Sequence, residues 1–416
     1  MISSLFSIGL LSLCLPLHGP SSESIASTPV ESVTLPSSET VSAGGPEEPI
    51  RIILFIGDSI MSGVDSANPP EACPGECGLP LEADRPDLAG AKVWHRWRLD
   101  ERAPFDCQSP PIVQPQPSWL DLKYAGGTPI GPGQGAPRNA SPVYSATKAY
   151  MELTGTAEVR VIYLAKRNSD VPEHIWNFQC TTCKDSACPP SISLGGNTWS
   201  AKRTSLLCMP LSTTSSACPG SGTKPGPAGT VIGGPRHIGM YPLLTQSYLR
   251  PAIESLLNEK GNPPIEFAGV IFSLGNNMAA SCPELIAGYV AELDLLLQSI
   301  KEEVLGFSPP MASHLLPMPA VGVRLHSQSG SDFVSMAQEQ QDKWFASTMP
   351  PNEIAGGLVD LNFLDNTIPC CCPSATNLHS SNIAIHPFWE GHELIGDLMG
   401  QELALLTRLY GAIPLN

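Results

Sequence analysis

The chain has 416 residues, enough for one large α/β core with decorations or for two ordinary domains, and we read one decorated domain. Hydrophobic residues make up 42% and charged residues 15%, with 43 Pro and 37 Gly; this excludes a disordered or fibrous chain and implies long ordered loops around a modest set of regular elements. The formal net charge of −16 argues against nucleic acid, an anionic membrane or a polyanion as partner, because each calls for clustered Lys and Arg.

Leu5 to Leu17 is a short apolar run followed by Gly19 and Pro20. It is too short to cross a bilayer core of about 30 Å and reads as a secretory signal peptide over residues 1–20. The expectation is a secreted protein with no membrane anchor. Cys14 follows Leu13 rather than a small residue, so lipidation is not expected. Losing the signal leaves twelve of the thirteen cysteines, an even number that in an exported chain reads as disulfides. The rival is zinc, since Cys180-x-x-Cys183 has ligand spacing and Cys188 and Cys208 would complete four thiolates. We expect disulfides, with no metal and no organic cofactor. Residues 21–49 are rich in Ser, Thr, Pro, Glu and Gly without apolar period, which predicts a flexible linker ahead of a domain over 50–416.

That domain opens on Ile50 to Ile56, a nearly continuous apolar run of the kind buried on both faces of a parallel sheet. Similar runs recur at Val159–Ala165 and Phe267–Leu274, with weaker ones at Met311–Ala320 and Leu358–Phe363. Helical patterns lie between them. Ser141-Pro142 sets a cap and a first-turn proline ahead of Val143–Leu153; Cys282–Val304 keeps three-four apolar spacing; Glu390–Tyr410 does the same at the C-terminus. The alternation predicts a flavodoxin-like three-layer α/β/α sandwich around a central parallel sheet. Two segments, at about 69–117 and 168–235, break the rhythm and read as cysteine-rich loop insertions. Asn139-Ala140-Ser141 is an N-glycosylation sequon. Trp94, Trp97 and Trp119 offer faces on which a sugar could stack, although packing is the commoner role for such residues.

Three features carry chemistry. The first strand runs straight into Gly57-Asp58-Ser59-Ile60-Met61-Ser62-Gly63, and ligands of doubly wound sheets bind beyond the carboxyl ends of the strands. Ser59 is thus placed as a nucleophile, its amide at a helix start where it would donate to an oxyanion; the competing reading is a tight turn that caps a helix through Asp58 or Ser59. A serine hydroxyl needs a base. His386, in Ile385-His386-Pro387 just before the last helix, is the candidate among nine histidines. Ser273-Leu274-Gly275-Asn276-Asn277 ends a strand with a glycine and side-chain amides, which suits an oxyanion or, read plainly, an Asn-rich turn.

In this order the three features resemble those of the SGNH hydrolase superfamily, and most of all its carbohydrate acetylesterase branch, which includes sialic-acid O-acetylesterases. The resemblance runs from about Ile50 to Leu409, interrupted by the two insertions. It implies a serine esterase removing small acyl groups, O-acetyl above all, from carbohydrate. Ser59 and His386 would be catalytic, and the amides of Ser59 and Gly131 with the Asn277 side chain would form the oxyanion hole. For the glycine block Gly131-Pro132-Gly133 matches locally, while Ser141-Pro142 sits better against the following helix. The branch usually has Gln where Asp58 stands and Gln-Gly-Glu where Leu274-Gly275-Asn276 stands. The superfamily's Asp three residues before the histidine is Ile383 here, leaving Asn382 or, from near the preceding strand, Asp365 or Asp360 to orient the ring. The same departures imply an alternative, a catalytically impaired scaffold acting as a glycan-binding or surface-interaction module.

Overall fold

A computed structural model describes residues 48–63, 86–95, 118–123, 141–165, 169–171, 197–201, 240–259, 264–275, 286–309, 316–327, 333–348, 353–366, 387 and 389–415. All the cysteines, the sequon asparagine and Trp97 lie outside these residues, so the disulfide and insertion readings do as well.

Ile50–Gly57 forms β1, with Ile52 to Ile56 fully buried, as its unbroken apolar run requires. Val159–Ala165 forms β4 and Ile265–Ser273 forms β7, both buried along nearly their whole length. Met318–Arg324 forms β8 and Ile354–Asp360 forms β9. Asp87–His95 and Ser118–Lys123 form β2 and β3, and Ile413–Leu415 forms a short β10. These eight strands make one sheet in the order β3-β2-β4-β1-β7-β8-β9, with β10 beside β7. A separate two-stranded ladder joins β5 (Ser169–Asp170) and β6 (Asn197–Thr198).

The sheet is mostly parallel rather than wholly so, because β3 runs against β2 and β10 against β7. β10 occupies the stretch of β7 at Ile265–Phe267, before β8 takes over at Val270, so both chains share one edge of the same strand. The register of β1 against β7 slips by one residue at Ala268, and Gly269 there has φ +145 and a Cα facing the Pro319 carbonyl.

Helices cover both faces. On one lie α1 (Val143–Thr154) and, after β9, the helix Trp389–Tyr410, called α6 below. On the other lie α2 (Met240–Leu244), running through a π-helical turn at Thr245–Leu249 into α3 (Arg250–Leu257), then α4 (Tyr289–Leu305) and α5 (Val334–Ser347). The chain works outward from β1 toward β2 and β4 on one side and then toward β7, β8 and β9 on the other, so β1 stands at the topological switch point.

Four expectations are corrected. The strand expected at Met311–Ala320 is Met318–Arg324, because pairing with β7 and β9, rather than the run of apolar residues, selects the segment. The strand expected at Leu358–Phe363 is Ile354–Asp360, followed by a 3-10 turn at Leu361–Asn366. Its Gly356 and Gly357 argue against a strand by propensity, but Thr348 and Glu402 pack where their side chains would be. Asp87–His95, inside the first expected insertion, joins the sheet through Ala91–Val93 beside β4. The Ser59 segment is a turn over 59–63, not the start of a helix.

Candidate active site

At the carboxyl edge of the sheet, Gly57 closes β1 between Ala165 of β4 and Ser273 of β7. A side chain at Gly57 would meet Met61 Cβ at 2.7 Å and the Ser273 carbonyl at 2.8 Å, so the sharp turn back over the strand end requires glycine. Asp58, fully buried, ties that turn together. Its Oδ1 accepts the Ile60 N–H at 3.1 Å and the Ser273 hydroxyl at 3.0 Å, while its own N–H donates to the Ser273 carbonyl at 3.0 Å. The turn closes with Ser62 N–H donating to the Asp58 carbonyl at 3.1 Å, and Tyr163 of β4 donates to the Met61 carbonyl at 3.1 Å. Ile60 and Met61 are buried against α1 and α6. The backbone around Ser59 is therefore anchored from both neighbouring strands and from the helical layer, and its residue exposure is 6%.

The tight turn of the competing reading is present, without a helix for Asp58 to cap over 59–63; the Asp58 side chain instead joins the turn to β7 through the Ile60 N–H and the Ser273 hydroxyl.

Beyond β7 the chain passes Leu274 to Gly275, which has φ +117, a conformation that favours glycine. Leu274 is buried, and its carbonyl accepts the Tyr289 hydroxyl at 3.0 Å and Gln341 Nε2 at 3.4 Å. Gln341 also donates to the Val323 carbonyl at 3.0 Å and accepts the Leu325 N–H at 2.9 Å; Gln338, one turn away, donates to the Leu325 carbonyl at 2.7 Å. Two glutamines of α5 thus clamp the ends of β7 and β8. They do not figure among the sequence candidates. The available signal was the three-residue spacing of Gln338 and Gln341 in phase with Val334, Ala337 and Trp344, all of them buried.

Asp360 ends β9 facing Arg324, 3.4 Å from its Nη1, and accepts the Asn362 N–H at 2.9 Å. Arg324 is shared with Asp342, and the two carboxylates with their hydrogen bonds hold its guanidinium pKa above the ordinary value. Asp360 thus has partners of its own, and the histidine it was expected to orient lies outside the described residues. Asp365 lies in the 3-10 turn after β9, its side chain outside the description.

Among the other candidates, Gly131, Asn277, Asn382 and His386 lie outside the described residues. Pro387 is buried, and α6 begins at Trp389. Further along α6, Leu403 packs against Gly269 and the Thr407 hydroxyl donates to the Ala268 carbonyl at 3.4 Å. From Leu403 back to Trp389 the helix covers roughly 21 Å, against roughly 13 Å from Gly269 to the end of β7. The start of α6 therefore reaches past the strand end on the edge that carries Ser59. Ser141, whose Oγ accepts the Val143 N–H at 3.4 Å, opens α1 at the same edge.

Trp94 and Trp119 face each other across the β2–β3 pairing with ring centroids 5.0 Å apart, edge to face. Trp94 is buried in the core and Trp119 packs against it, so for these two the packing role holds over the sugar platform. Among the described residues no group of His, Cys, Asp and Glu is arranged to hold a metal, and no helix is long and apolar enough to cross a membrane.

No protein-family model and no curated protein matches the chain. Solved structures do. The crystal structure of NanS superposes with a TM-score of 0.47 at 12% identity, covering 88% of this chain and 99% of that one. A carbohydrate acetylesterase from Xanthomonas citri superposes with a TM-score of 0.39 at 14% identity, over 86% of this chain and 56% of that one. A family two carbohydrate esterase from Clostridium thermocellum gives 0.33 at 13% identity, over 89% of this chain and 66% of that one.

Proposed function

We propose that the chain is a secreted serine esterase that removes small acyl groups, O-acetyl above all, from carbohydrate. The observation that carries the reading is Ser59 in a turn locked by Asp58, at the carboxyl end of the strand where the sheet order reverses. Ser59 Oγ would attack the acyl carbon and pass its proton to His386. The oxyanion would be held by the Ser59 amide, a glycine amide from Gly131 and the Asn277 side chain, as the motif resemblance implies. The carbohydrate half of the reading rests on that resemblance alone, and secretion rests on the apolar run at the N-terminus.

The test is acetate release from acetylated sugars and from nitrophenyl acetate. Ser59→Ala should lower kcat by roughly three orders of magnitude or more with the fold unchanged by circular dichroism. Undiminished turnover in that variant would remove Ser59 from the role.

A second reading, a catalytically impaired glycan-binding module, is favoured by Ile383 at the position where the superfamily carries its acid. It requires binding of acylated glycan without turnover in the unmodified protein.

A further inference from the structure

The parallel ladder between β1 and β7 stops one rung short of where its register leads. Gly57 lies opposite Ser273, and two residues on the ladder would set Ser59 opposite Gly275. That rung would have the Gly275 N–H donating to the Asp58 carbonyl and the Ile60 N–H donating to the Gly275 carbonyl. Neither bond is present among the described residues, because the turn takes both β1 groups for itself: the Asp58 carbonyl accepts Ser62 N–H at 3.1 Å, and the Ile60 N–H goes to Asp58 Oδ1 at 3.1 Å. The gap left in the ladder lies between Ser59 and the Gly275 amide.

The other side of that peptide is pinned. The Leu274 carbonyl is held by Tyr289 of α4 at 3.0 Å and Gln341 of α5 at 3.4 Å, and Gln341 is itself bonded to Val323 of β8 at 3.0 Å. Tyr289 and Gln341 are each 1% exposed, so the bracket is buried. In a planar trans peptide the N–H points opposite to the C=O. The same Gln341 Nε2 bonds the Leu274 carbonyl and the Val323 carbonyl of β8, which puts the Leu274 carbonyl on the β8 side of β7 and, by the trans peptide, turns the Gly275 N–H away from β8 toward the β1 side. A side chain at 275 would sit 3.1 Å from Gln341 Nε2 and would disfavour φ +117 as well, so glycine preserves the bracket.

We propose that the Gly275 amide is an oxyanion donor facing Ser59, and that Gln341 and Tyr289 are positioning residues that aim it. The assignment rests on Ser59 as nucleophile and adds a donor to the Ser59, Gly131 and Asn277 set. In the step it serves, Ser59 Oγ bonds to the acyl carbon as its proton moves to His386, and the carbonyl π pair becomes the oxyanion that Gly275 N–H stabilises. Collapse of the tetrahedral species expels the sugar alkoxide, which takes the proton from His386. A donor fixed in advance by buried groups needs no reorganisation when the charge appears.

The experiment treats the full chain with a fluorophosphonate, maps the adduct by peptide mass spectrometry, and follows the amides in glycine-selective 15N spectra, with Gly275 assigned by its loss in Gly275→Ala. The phosphonyl oxygen takes the oxyanion position, so the expected result is an adduct on Ser59 with the Gly275 proton moved downfield. Labelling should slow by about tenfold to a hundredfold in Gly275→Ala. Should that variant not fold, Tyr289→Phe keeps the shape and removes one bond to Leu274; it should lower kcat for nitrophenyl acetate several-fold with KM unchanged, whereas a purely structural role would leave kcat per folded molecule alone. An adduct on Ser59 with an unmoved Gly275 amide overturns the donor and leaves the nucleophile standing. Absence of any adduct on Ser59 overturns both.

Discussion

The two helical layers grip the same sheet by opposite means. Where α1 meets α6, the contact is backbone on backbone: Gly396 faces the Pro142 carbonyl and the Ser145 hydroxyl, and Gly400 faces the Ala146 carbonyl, leaving no room for even a methyl group. On the far face bulky buried side chains do the packing, among them Trp199, Trp344, Tyr289 and Phe272, and two glutamines reach through to the strand ends. One layer sets a distance and admits nothing added. The other sets the orientation of β7 and β8 and admits nothing removed. The proposed site lies where both constraints meet, with the Ser59 turn packed against the first layer and Gly275 bracketed by the second.

Removal on the second face should have the largest effect. Trp344 is buried and meets Phe272 edge to face at 5.1 Å, so Trp344→Ala should cost about 3–5 kcal/mol in urea unfolding. A loss below about 1 kcal/mol would show that this face collapses around the gap.

Addition on the first face comes next, and its sign is diagnostic. Replacing glycine with alanine inside a helix ordinarily gains about 1 kcal/mol. Gly400→Ala should instead destabilise by about 1–3 kcal/mol, because the new methyl overlaps the Ala146 carbonyl and the helices must part. A stabilised variant would mean that α1 and α6 are free to separate at little cost.

The smallest effect is electrostatic and sharpens the account of α6. Burial pushes the Glu402 carboxyl up from its ordinary value where it lies over Gly357. A carboxyl that binds its proton more tightly folded than unfolded loses stability as pH rises from the ordinary carboxylate range through the folded pKa, and the full penalty remains above it. Glu402→Gln should therefore raise Tm slightly at neutral pH, with the difference fading in acid. A constant difference across a pH series of melting curves would contradict this sign.

The strands that could be read from sequence are the ones buried on both faces. β1, β4 and β7 are continuous apolar runs because a central parallel strand meets a helix on either side. β3 is mostly exposed and polar, β2 reads as part of an insertion, and β9 carries two glycines that propensity counts against. These three are strands because a neighbour's hydrogen bonds, not their own composition, hold them extended. α5 is not legible in the sequence for a related reason, since its buried face includes Gln338 and Gln341, polar residues whose partners lie on other elements.

The site divides the same way. By itself the sequence determined that a serine follows the first buried strand, that a glycine and asparagines follow the third, and that a histidine precedes the last helix, because local periodicity and chain order are written along the chain. Only the tertiary structure decided that the Asp58 carboxylate closes the turn with a serine 215 residues away, that Asp360 is held by Arg324, and that the Leu274 carbonyl is bracketed by Tyr289 and Gln341. The physical reason is that hydrogen-bond partners and peptide orientation depend on strand register and helix docking, which no single segment contains.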